Sequence, residues 1–346
     1  MRFAFTEDQQ MLRDTVREVL ARECTPDVVR RAWEAQDQGE KKAEGPFQTL
    51  AETGLLGMML SEEAGGLGMN EVDAALSIEA AGYAALPEPL IETLASIRVL
   101  ESRLKGDGVE LLSQIAAGEA RLSLALDVGG VVPFAETAVL FIVFADGRLS
   151  LNRREEVELD VQVSGDRTRS VARLRGLKAP GIELGRGEEA VTLRAAIFDR
   201  AALGSALFLN GLARKMLELA VEYAKDRVQF GKPIGAQQAV KHHLANALIA
   251  LEFSKPLAYR AAWTLAENEP DYPVHVSMAK LRASEAARTI AKLSLQVHGA
   301  IGYTIEHDLH LFMKRAWALT AAYGTEDFHR ARVGRAILPE QGDKNG

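Results

Sequence analysis

The hydrophobic and polar positions divide the chain into three parts that differ in period. Over residues 1–117, apolar side chains recur every three or four positions, which predicts helices separated by Gly- and Pro-containing turns. Residues 118–200 change to short strand-like runs, and the run at 138–144 is apolar throughout, as in a strand buried on both faces. Long helical patterns return from residue 201. We therefore predict an α+β protein with an N-terminal all-α domain (1–117), a small middle β-domain (118–200) and a C-terminal helical bundle (201–346).

Local patterns refine this prediction. Asp146 and Gly147 form a two-residue turn signal between strand-like runs, so a hairpin is expected there. Segment 157–161 alternates strictly between apolar and polar residues, which is typical of a half-exposed strand. Segment 191–198 is a last strand candidate, and a final helix is predicted at 325–337.

Composition and charge exclude several classes of function. Acidic residues outnumber basic ones by 48 to 41, and Lys and Arg are scattered, so no nucleic-acid partner is expected. No apolar run reaches the roughly 20 residues of a membrane span, and acidic residues arrive too early for a secretory signal. The single cysteine, Cys24, suits a reducing compartment, so we expect a cytoplasmic location. Gly-x-Gly-x-x-Gly and Walker-type loops are absent, and the histidines lack partners at ligand spacing, so no metal site is predicted.

The run from Asp226 to Ala239 carries the strongest chemical signal. Arg227 lies at the end of one long helical pattern and Gln238 at the start of the next, with a Gly-Pro turn between them. Both side chains can therefore reach one spot beside the turn. An arginine fork and the unpaired amides of a helix N-terminus both suit phosphate oxygens, so a pyrophosphate is a natural occupant. Alternatively, Arg227 could complement its helix dipole and Gln238 could cap its helix.

This run resembles the C-terminal motif of the acyl-CoA dehydrogenase family, Arg-x-x-Phe-Gly-x-Pro followed by a glutamine, with Phe230 at the phenylalanine. Other segments resemble the family's in the family's own order: the opening helix at 5–10, the second signature at 50–57 and 62–68, and the glutamine-glycine motif at 296–303. The likeness covers most of the chain. It implies the family's fold, which has an N-terminal helical domain, a middle β-domain and a C-terminal four-helix bundle.

The resemblance also implies a cofactor, flavin adenine dinucleotide (FAD), that two subunits share. In the family, one subunit cradles the isoalloxazine ring, and its neighbour holds the pyrophosphate and adenosine end. The positions of this chain that match FAD contacts are Arg227, Phe230, Gln238, Gln296, Gly299 and Thr325. Gly299 could instead simply end its helix, and Thr325 could simply cap the last one.

Two parts of the family's site depart from its pattern. The loop Thr-Glu-Pro-x-Ala-Gly-Ser-Asp, which meets the flavin ring, is replaced by a different sequence at 124–133, and the following Trp-Ile-Thr segment is missing. The family's Tyr-Glu-Gly-Thr, which holds the catalytic glutamate, here has Tyr323 at the glutamate position. A phenol with a pKa of about 10 is a poor base near neutrality. The second known glutamate position falls near Ala201 and Ala202, which cannot accept a proton.

No catalytic base is therefore identified in this chain. Glu326 and Asp327 are weak candidates, because acids after Thr325 are first explained as residues favoured by the helix dipole. We predict one subunit of a heteromeric acyl-CoA dehydrogenase, which lends its contacts to FAD bound mostly by a second acyl-CoA dehydrogenase-like chain that carries the glutamate. The chain resembles the short subunit of heterotetrameric members that degrade CoA thioesters of bulky substrates such as steroid side chains.

The expected reaction is α,β-desaturation of an acyl-CoA, with electrons passed to an electron-transfer flavoprotein. Two alternatives stay open. The chain could be a self-sufficient homo-oligomeric dehydrogenase with a non-standard base, or a catalytically silent scaffold that stabilises a partner or binds acyl-CoA without flavin.

Overall fold

The computed structural model describes residues 4–38, 46–106 and 108–338. In these ranges, the helices that precede the strands are α1 (Glu7–Glu23), α2 (Pro26–Gln38), α3 (Phe47–Glu52), α4 (Glu71–Tyr83), α5 (Leu90–Arg103) and α6 (Gly108–Ala116). The strands are β1 (Leu122–Ala125), β2 (Val131–Pro133), β3 (Leu140–Ala145), β4 (Arg148–Arg153), β5 (Val157–Gln162), β6 (Val171–Leu177) and β7 (Ile182–Arg186). The later helices are α7 (Glu188–Asp226), α8 (Gln238–Ala266), α9 (Tyr272–His298), α10 (Leu309–Ala321) and α11 (Glu326–Ile337). The predicted order of helices, strands and helices is confirmed.

Strands β1 to β7 form two sheets packed face to face. One has the order β1-β3-β4-β7, in which β1 and β3 are parallel, and the other is an antiparallel β2-β6-β5 sheet. Leu140 and Ile142 of β3 belong to the core shared with the helices, whereas Phe141 and Val143 pack between the sheets. Strand β3 is therefore buried on both faces, as its unbroken apolar run predicts.

Two of the other strand predictions are confirmed and one is wrong. Asp146 and Gly147 close a hairpin in which Ala145 pairs with Arg148, and the segment 157–161 is strand β5. The strand predicted at 191–198 is helical instead, because the segment lies in the first turns of α7. The short apolar pattern of this segment fits the period of a strand as well as that of a helix. Packing of α7 against the β-region favours the helical conformation.

The domain boundary predicted at residue 200 falls inside α7, which runs unbroken from Glu188. We propose instead that the middle domain ends at Gly187. Helix α7 packs against α4, α5, α8, α9 and α10, so it is the central helix of the molecule. Within the described ranges, every helix is too short or too polar to span a bilayer.

Two glycines allow α4 and α7 to cross with their backbones in contact. A Cβ atom at Gly82 would lie 2.1 Å from the carbonyl oxygen of Phe208, and one at Gly211 would lie 2.0 Å from that of Glu79. Both distances are far below van der Waals contact, so any larger residue would force the helices apart. The crossing brings the side chains of Glu79 and Asn210 together.

A buried arginine joins α10 to the two earlier parts of the chain. The guanidinium of Arg315 donates hydrogen bonds to the carboxylate of Asp166, the hydroxyl of Thr168 and the carbonyl oxygen of Leu86, the last at 2.7 Å. Asp166 and Thr168 lie in the loop between β5 and β6, and Leu86 lies between α4 and α5. This one side chain therefore fixes α10, and the segment that follows it, against both neighbouring regions.

Candidate functional site

A short hairpin connects α7 to α8 and carries the arginine predicted to bind phosphate. Its strands, β8 (Val228–Gln229) and β9 (Lys232–Pro233), are joined by Phe230 and Gly231 at φ values of 54° and 76°. Positive φ at both positions is typical of a type I′ turn. The turn presents the Phe230 ring to solvent, with 95% of the residue exposed. Arg227 is also exposed, and its guanidinium makes no hydrogen bond or ion pair with the described residues.

Helix α8 begins directly after this hairpin. Gln237 occupies the N-cap position, but its side chain makes no capping hydrogen bond, and Gln238 is exposed in the first turn. Backbone amides at a helix N-terminus carry a partial positive charge and lack partners within the helix. An anion near Arg227 would therefore also be favoured by this helix end.

The end of α9 contributes the glutamine-glycine motif. Gln296 is exposed, and Gly299 ends the helix with open space where a Cβ atom would lie. Next to them, the His298 ring is buried and stacks on Tyr223, with ring centroids 4.7 Å apart. Its Nδ1 lies 2.7 Å from the carbonyl oxygen of Ser294, so Nδ1 carries the proton and Nε2 is an acceptor, which has no partner among the described residues. Burial lowers the pKa of His298, so the ring is neutral.

These three helix ends meet in one small apolar cluster, which consists of Ala220, Ala224 and Val297 with Tyr223, Ile234, Val240 and Leu244 packed on them. Each of Arg227, Gln238, Gln296 and Gly299 lies within three residues of a cluster member. The structure therefore gathers them around one point of the surface, and Phe230 follows on the hairpin. We call this group of five residues the donor surface.

Thr325 lies elsewhere. Its hydroxyl caps α11 by accepting a hydrogen bond from the backbone amide of Phe328 at 3.3 Å. Helix α11 packs on the first half of α9, where His329 Nδ1 lies 3.0 Å from Ser277 Oγ. Gln296 follows Ser277 by 19 positions, which is about 28 Å along the helix axis. The predicted contact residues thus fall into two groups at opposite ends of α9. A dinucleotide shared between subunits would explain such a separation.

The donor surface fits the phosphate end of a dinucleotide. An unpaired guanidinium, exposed amide side chains, an uncapped helix N-terminus and an open glycine are all available without displacing a protein contact. Such groups satisfy the oxygens of a pyrophosphate well, since arginine can donate two parallel hydrogen bonds.

The loop that replaces the family's ring-binding segment does not fit the other end. The amide of Gly129 donates to the carbonyl oxygen of Leu174 at 2.9 Å, and the amide of Gly130 donates to that of Asp127 at 2.9 Å. Arg194 of α7 also ion-pairs with Asp127 and donates to the carbonyl oxygen next to it. The loop is therefore closed onto β6 and α7, and its glycine amides are already used.

Tyr323, at the position of the family's glutamate, meets a buried carboxylate that sequence reasoning missed. Its hydroxyl donates to Glu92 Oε1 at 2.6 Å, and Arg169 Nη2 lies 3.4 Å from the same oxygen. Glu92 is 0% exposed, and its Oε2 has no hydrogen-bond partner among the described residues. Burial raises the pKa of Tyr323 well above 10, and the Glu92 carboxylate raises it further. The phenol therefore stays protonated near neutrality and acts as a donor.

Two more buried groups fix the backbone around Tyr323. Lys280 of α9 donates from Nζ to the carbonyl oxygens of Leu319 at 2.8 Å and Thr320 at 3.3 Å. His329 Nε2 donates to the carbonyl oxygen of Tyr323 at 2.9 Å, and burial lowers its pKa to about 4, so the ring is neutral. The segment between α10 and α11 is therefore held from both sides.

Lys280 makes stability depend on pH. Burial lowers its pKa from 10.5 to about 7. Between these values the unfolded chain binds more protons than the folded one, so the free energy of unfolding rises with pH. Relative to Lys280→Met, we expect the wild-type value to rise by up to about 1.4 kcal/mol per pH unit in this window.

Urea unfolding of both proteins between about pH 7 and pH 9 measures this difference in slope. Lys292→Met, at an exposed lysine of the same helix, is the matched control and should keep the wild-type slope. Equal slopes for wild type and Lys280→Met would show that Lys280 is not the responsible group.

Both weak candidates for a base are paired with arginines, and the Glu326 side chain is only 13% exposed. Glu326 pairs with Arg288 at 2.5 Å, and the side chain of Asp327 is 94% exposed and pairs with Arg330. Ala201 and Ala202 are buried in α7. The residues that do surround Tyr323 had a weak sequence signal: Glu92 and Lys280 are charges within otherwise apolar helix faces.

Comparisons with known proteins agree with this architecture. The profile of the acyl-CoA dehydrogenase N-terminal domain matches residues 6–97, and that of the C-terminal domain matches residues 191–338. The chain is 35% identical to acyl-CoA dehydrogenase IpdE2 of Mycobacterium tuberculosis, over 90% of this chain and 91% of that protein. It is 24% identical to CarC, a subunit of the caffeyl-CoA reductase–Etf complex of Acetobacterium woodii, over 96% of this chain and 99% of that protein.

Among solved structures, a chain of the ChsE4–ChsE5 complex from Mycobacterium tuberculosis superposes with a TM-score of 0.84 at 25% identity, over 98% of this chain and 100% of that chain. The similarity to IpdE2 extends over nine-tenths of both chains, and it includes both the helical and the β-regions described above. This chain therefore belongs to the acyl-CoA dehydrogenase family, whose members are FAD-dependent oxidoreductases that act on CH–CH bonds.

Proposed function

We propose that this chain is one subunit of a heteromeric acyl-CoA dehydrogenase. It contributes the donor surface to the pyrophosphate and adenosine end of FAD, while a second chain holds the flavin ring and supplies the catalytic glutamate. The observation that carries this proposal is the contrast between two parts of one molecule. The donor surface is exposed and unpaired, whereas the place of the glutamate is filled by Tyr323, Glu92 and Arg169.

The filled position argues against desaturation at this chain's own Tyr323. A base must reach the α-proton of the thioester, and the nearest carboxylate, Glu92, already accepts a hydrogen bond from Tyr323 and faces Arg169. Both interactions are made by the same oxygen, Oε1, and hold the carboxylate against Tyr323 and Arg169. The closed loop at Gly129 and Gly130 removes amide donors that a flavin ring would need.

Exposed apolar residues support a partner at the donor surface. Phe230 and Tyr303 flank the cofactor motifs, and Ile305 follows them, all largely exposed in the single chain. A second exposed apolar set lies on α8, at Leu248, Ile249 and Phe253. Large apolar side chains grouped in this way mark surfaces that another chain covers.

In this arrangement, FAD supplies the hydride acceptor for the β-carbon of the acyl-CoA. The residues of this chain bind and orient it: Arg227 neutralises pyrophosphate charge, Gln238 and Gln296 donate amide hydrogen bonds, and Gly299 allows close approach. Substrates would be acyl-CoA thioesters, including bulky ones such as steroid side chains. We propose an electron-transfer flavoprotein as the electron acceptor, which the relationship to CarC supports, and a cytoplasmic location, which the single cysteine supports.

The test is to purify the chain alone and together with a full-length relative encoded by an adjacent reading frame that retains the glutamate. We expect the lone chain to lack flavin absorbance and dehydrogenase activity, and the pair to contain about one FAD per two chains. Full flavin occupancy with turnover in the lone chain would refute the proposal. In that case, loss of activity in Glu92→Gln would identify Glu92 as the base of a self-sufficient enzyme.

A further inference from the structure

A separate cleft lies between α1, α4, α7 and α8, with a volume of about 370 Å³. We call it the Glu79 cleft, and its polar lining consists of Gln10, Arg13, Arg17, Glu79, Tyr83, Arg214 and Tyr259. Arg214 precedes Arg227 by 13 positions on α7, which is about 20 Å along the helix. The cleft is therefore distinct from the donor surface. We propose that it binds a small organic anion, a carboxylate or a phosphate ester, through the guanidiniums of Arg17 and Arg214.

The two arginines are free to bind a ligand. Arg13 is engaged with Asp14 at 2.8 Å, but Arg17 and Arg214 make no hydrogen bond or ion pair with the described residues. The Tyr83 hydroxyl donates to the Glu218 carboxylate at 2.6 Å, and burial together with this carboxylate raises the pKa of Tyr83 to about 12. Arg17 and Arg214 both oppose that shift, so the two guanidiniums lie near the same phenol, and neither forms an ion pair with Glu218. Two guanidiniums that line one cleft without an ion-pair partner of their own form a site for a negatively charged group.

The base of the cleft is polar but not strongly negative. Glu79 accepts hydrogen bonds from the Tyr259 hydroxyl at 3.0 Å and from Asn210 Nδ2 at 3.5 Å. Burial raises the pKa of its carboxyl to about 7. Near neutrality the carboxyl is therefore protonated about half of the time, and in that form it can donate a hydrogen bond to a bound anion.

The remaining wall is apolar and sets the class of ligand. Leu76, Ala80 and the rings of Tyr83 and Tyr259 line it, and Phe5 contacts the Tyr259 ring edge-on with centroids 4.9 Å apart. A volume of this size is at the small end of ligand pockets. The cleft thus suits a compact anion with an apolar body, and its three arginines disfavour a metal cation.

The test uses isothermal titration calorimetry of the full chain, in complex with its partner where one is required, with benzoate and inorganic phosphate as separate probes. We expect saturable binding of one of them at one site per chain. Arg214→Gln and Arg17→Gln should each weaken it at least about tenfold, since a charge-assisted hydrogen bond is lost. Arg22→Gln, at an exposed arginine of α1 outside the cleft, should leave affinity unchanged.

Glu79→Gln should strengthen anion binding, whereas the two arginine substitutions weaken it. The groups that face Glu79 are Arg13 and Arg17 of α1, Tyr83 of α4, Arg214 of α7, and Lys255 and Tyr259 of α8. Two carboxylates lie behind them, Glu218 on the Tyr83 hydroxyl and Glu252 on Lys255. Burial raises the pKa of Glu79 to about 7, so we assign the proton taken up on binding to Glu79. The variant should therefore bind the anion up to about tenfold more tightly than wild type at about pH 8, and about twofold at about pH 7.

Absence of saturable binding by both probes would overturn the proposal. Equal weakening by Arg22→Gln and Arg214→Gln would do so as well, because it would indicate unspecific attraction by surface charge. Neither result depends on flavin content, so this proposal and the proposed function can fail independently.

Discussion

Arg227→Ala should abolish FAD retention by the two-chain complex. The guanidinium of Arg227 is the only cation among the five residues of the donor surface, and it makes no hydrogen bond or ion pair with the described residues, so its loss breaks no such interaction within the chain. Losing a bidentate, charge-assisted interaction with a pyrophosphate lowers affinity by about a hundredfold. Purified complex should therefore lose its visible flavin absorbance, and dehydrogenase activity should return only in excess FAD.

The controls for this variant separate charge from geometry. Arg227→Lys keeps the charge but not the planar fork, so FAD affinity should be intermediate. Arg22→Ala, at an exposed arginine of α1 paired with Glu23, should retain full FAD content. Unchanged flavin affinity and activity in Arg227→Ala would instead support the catalytically silent scaffold.

Arg315→Met should have the largest effect on stability. It leaves the buried carboxylate of Asp166 without its partner and removes the hydrogen bonds to Thr168 and Leu86. Breaking a buried ion pair from one side destabilises a protein by about 3–5 kcal/mol. Chemical unfolding followed by circular dichroism measures the loss, which should be cooperative because α10 contacts all three parts of the chain through this residue.

A second substitution tests the physical cause. In the double variant Asp166→Asn with Arg315→Met no buried charge is left unpaired, so part of the lost stability should return. Arg186→Met, which removes an exposed ion pair with Glu183, is the control and should change the free energy of unfolding little. A double variant less stable than Arg315→Met would show that the buried charge is not the main cause.

Local patterns in the sequence predicted most elements correctly. Strand β3 was recognisable because both of its faces are apolar, and the hairpin at Asp146 and Gly147 because few residue pairs tolerate positive φ. Helix α11 and its cap at Thr325 follow from a polar N-cap before a helical pattern. The cofactor residues at the donor surface, which remain predictions, rest on motifs whose members are close together in sequence.

Only the tertiary structure decided what surrounds those elements. Glu92 and Tyr323 are separated by 231 positions, and no spacing rule relates residues so far apart. The separation of Thr325 from Gln296 along α9, and the meeting of four helices around Glu79, are likewise results of packing. Periodicity reports the conformation of neighbouring residues, because side chains three or four apart share a face. Which faces then meet depends on the burial of whole helices, and that determines whether a charge such as Glu92 or Lys280 is exposed or enclosed.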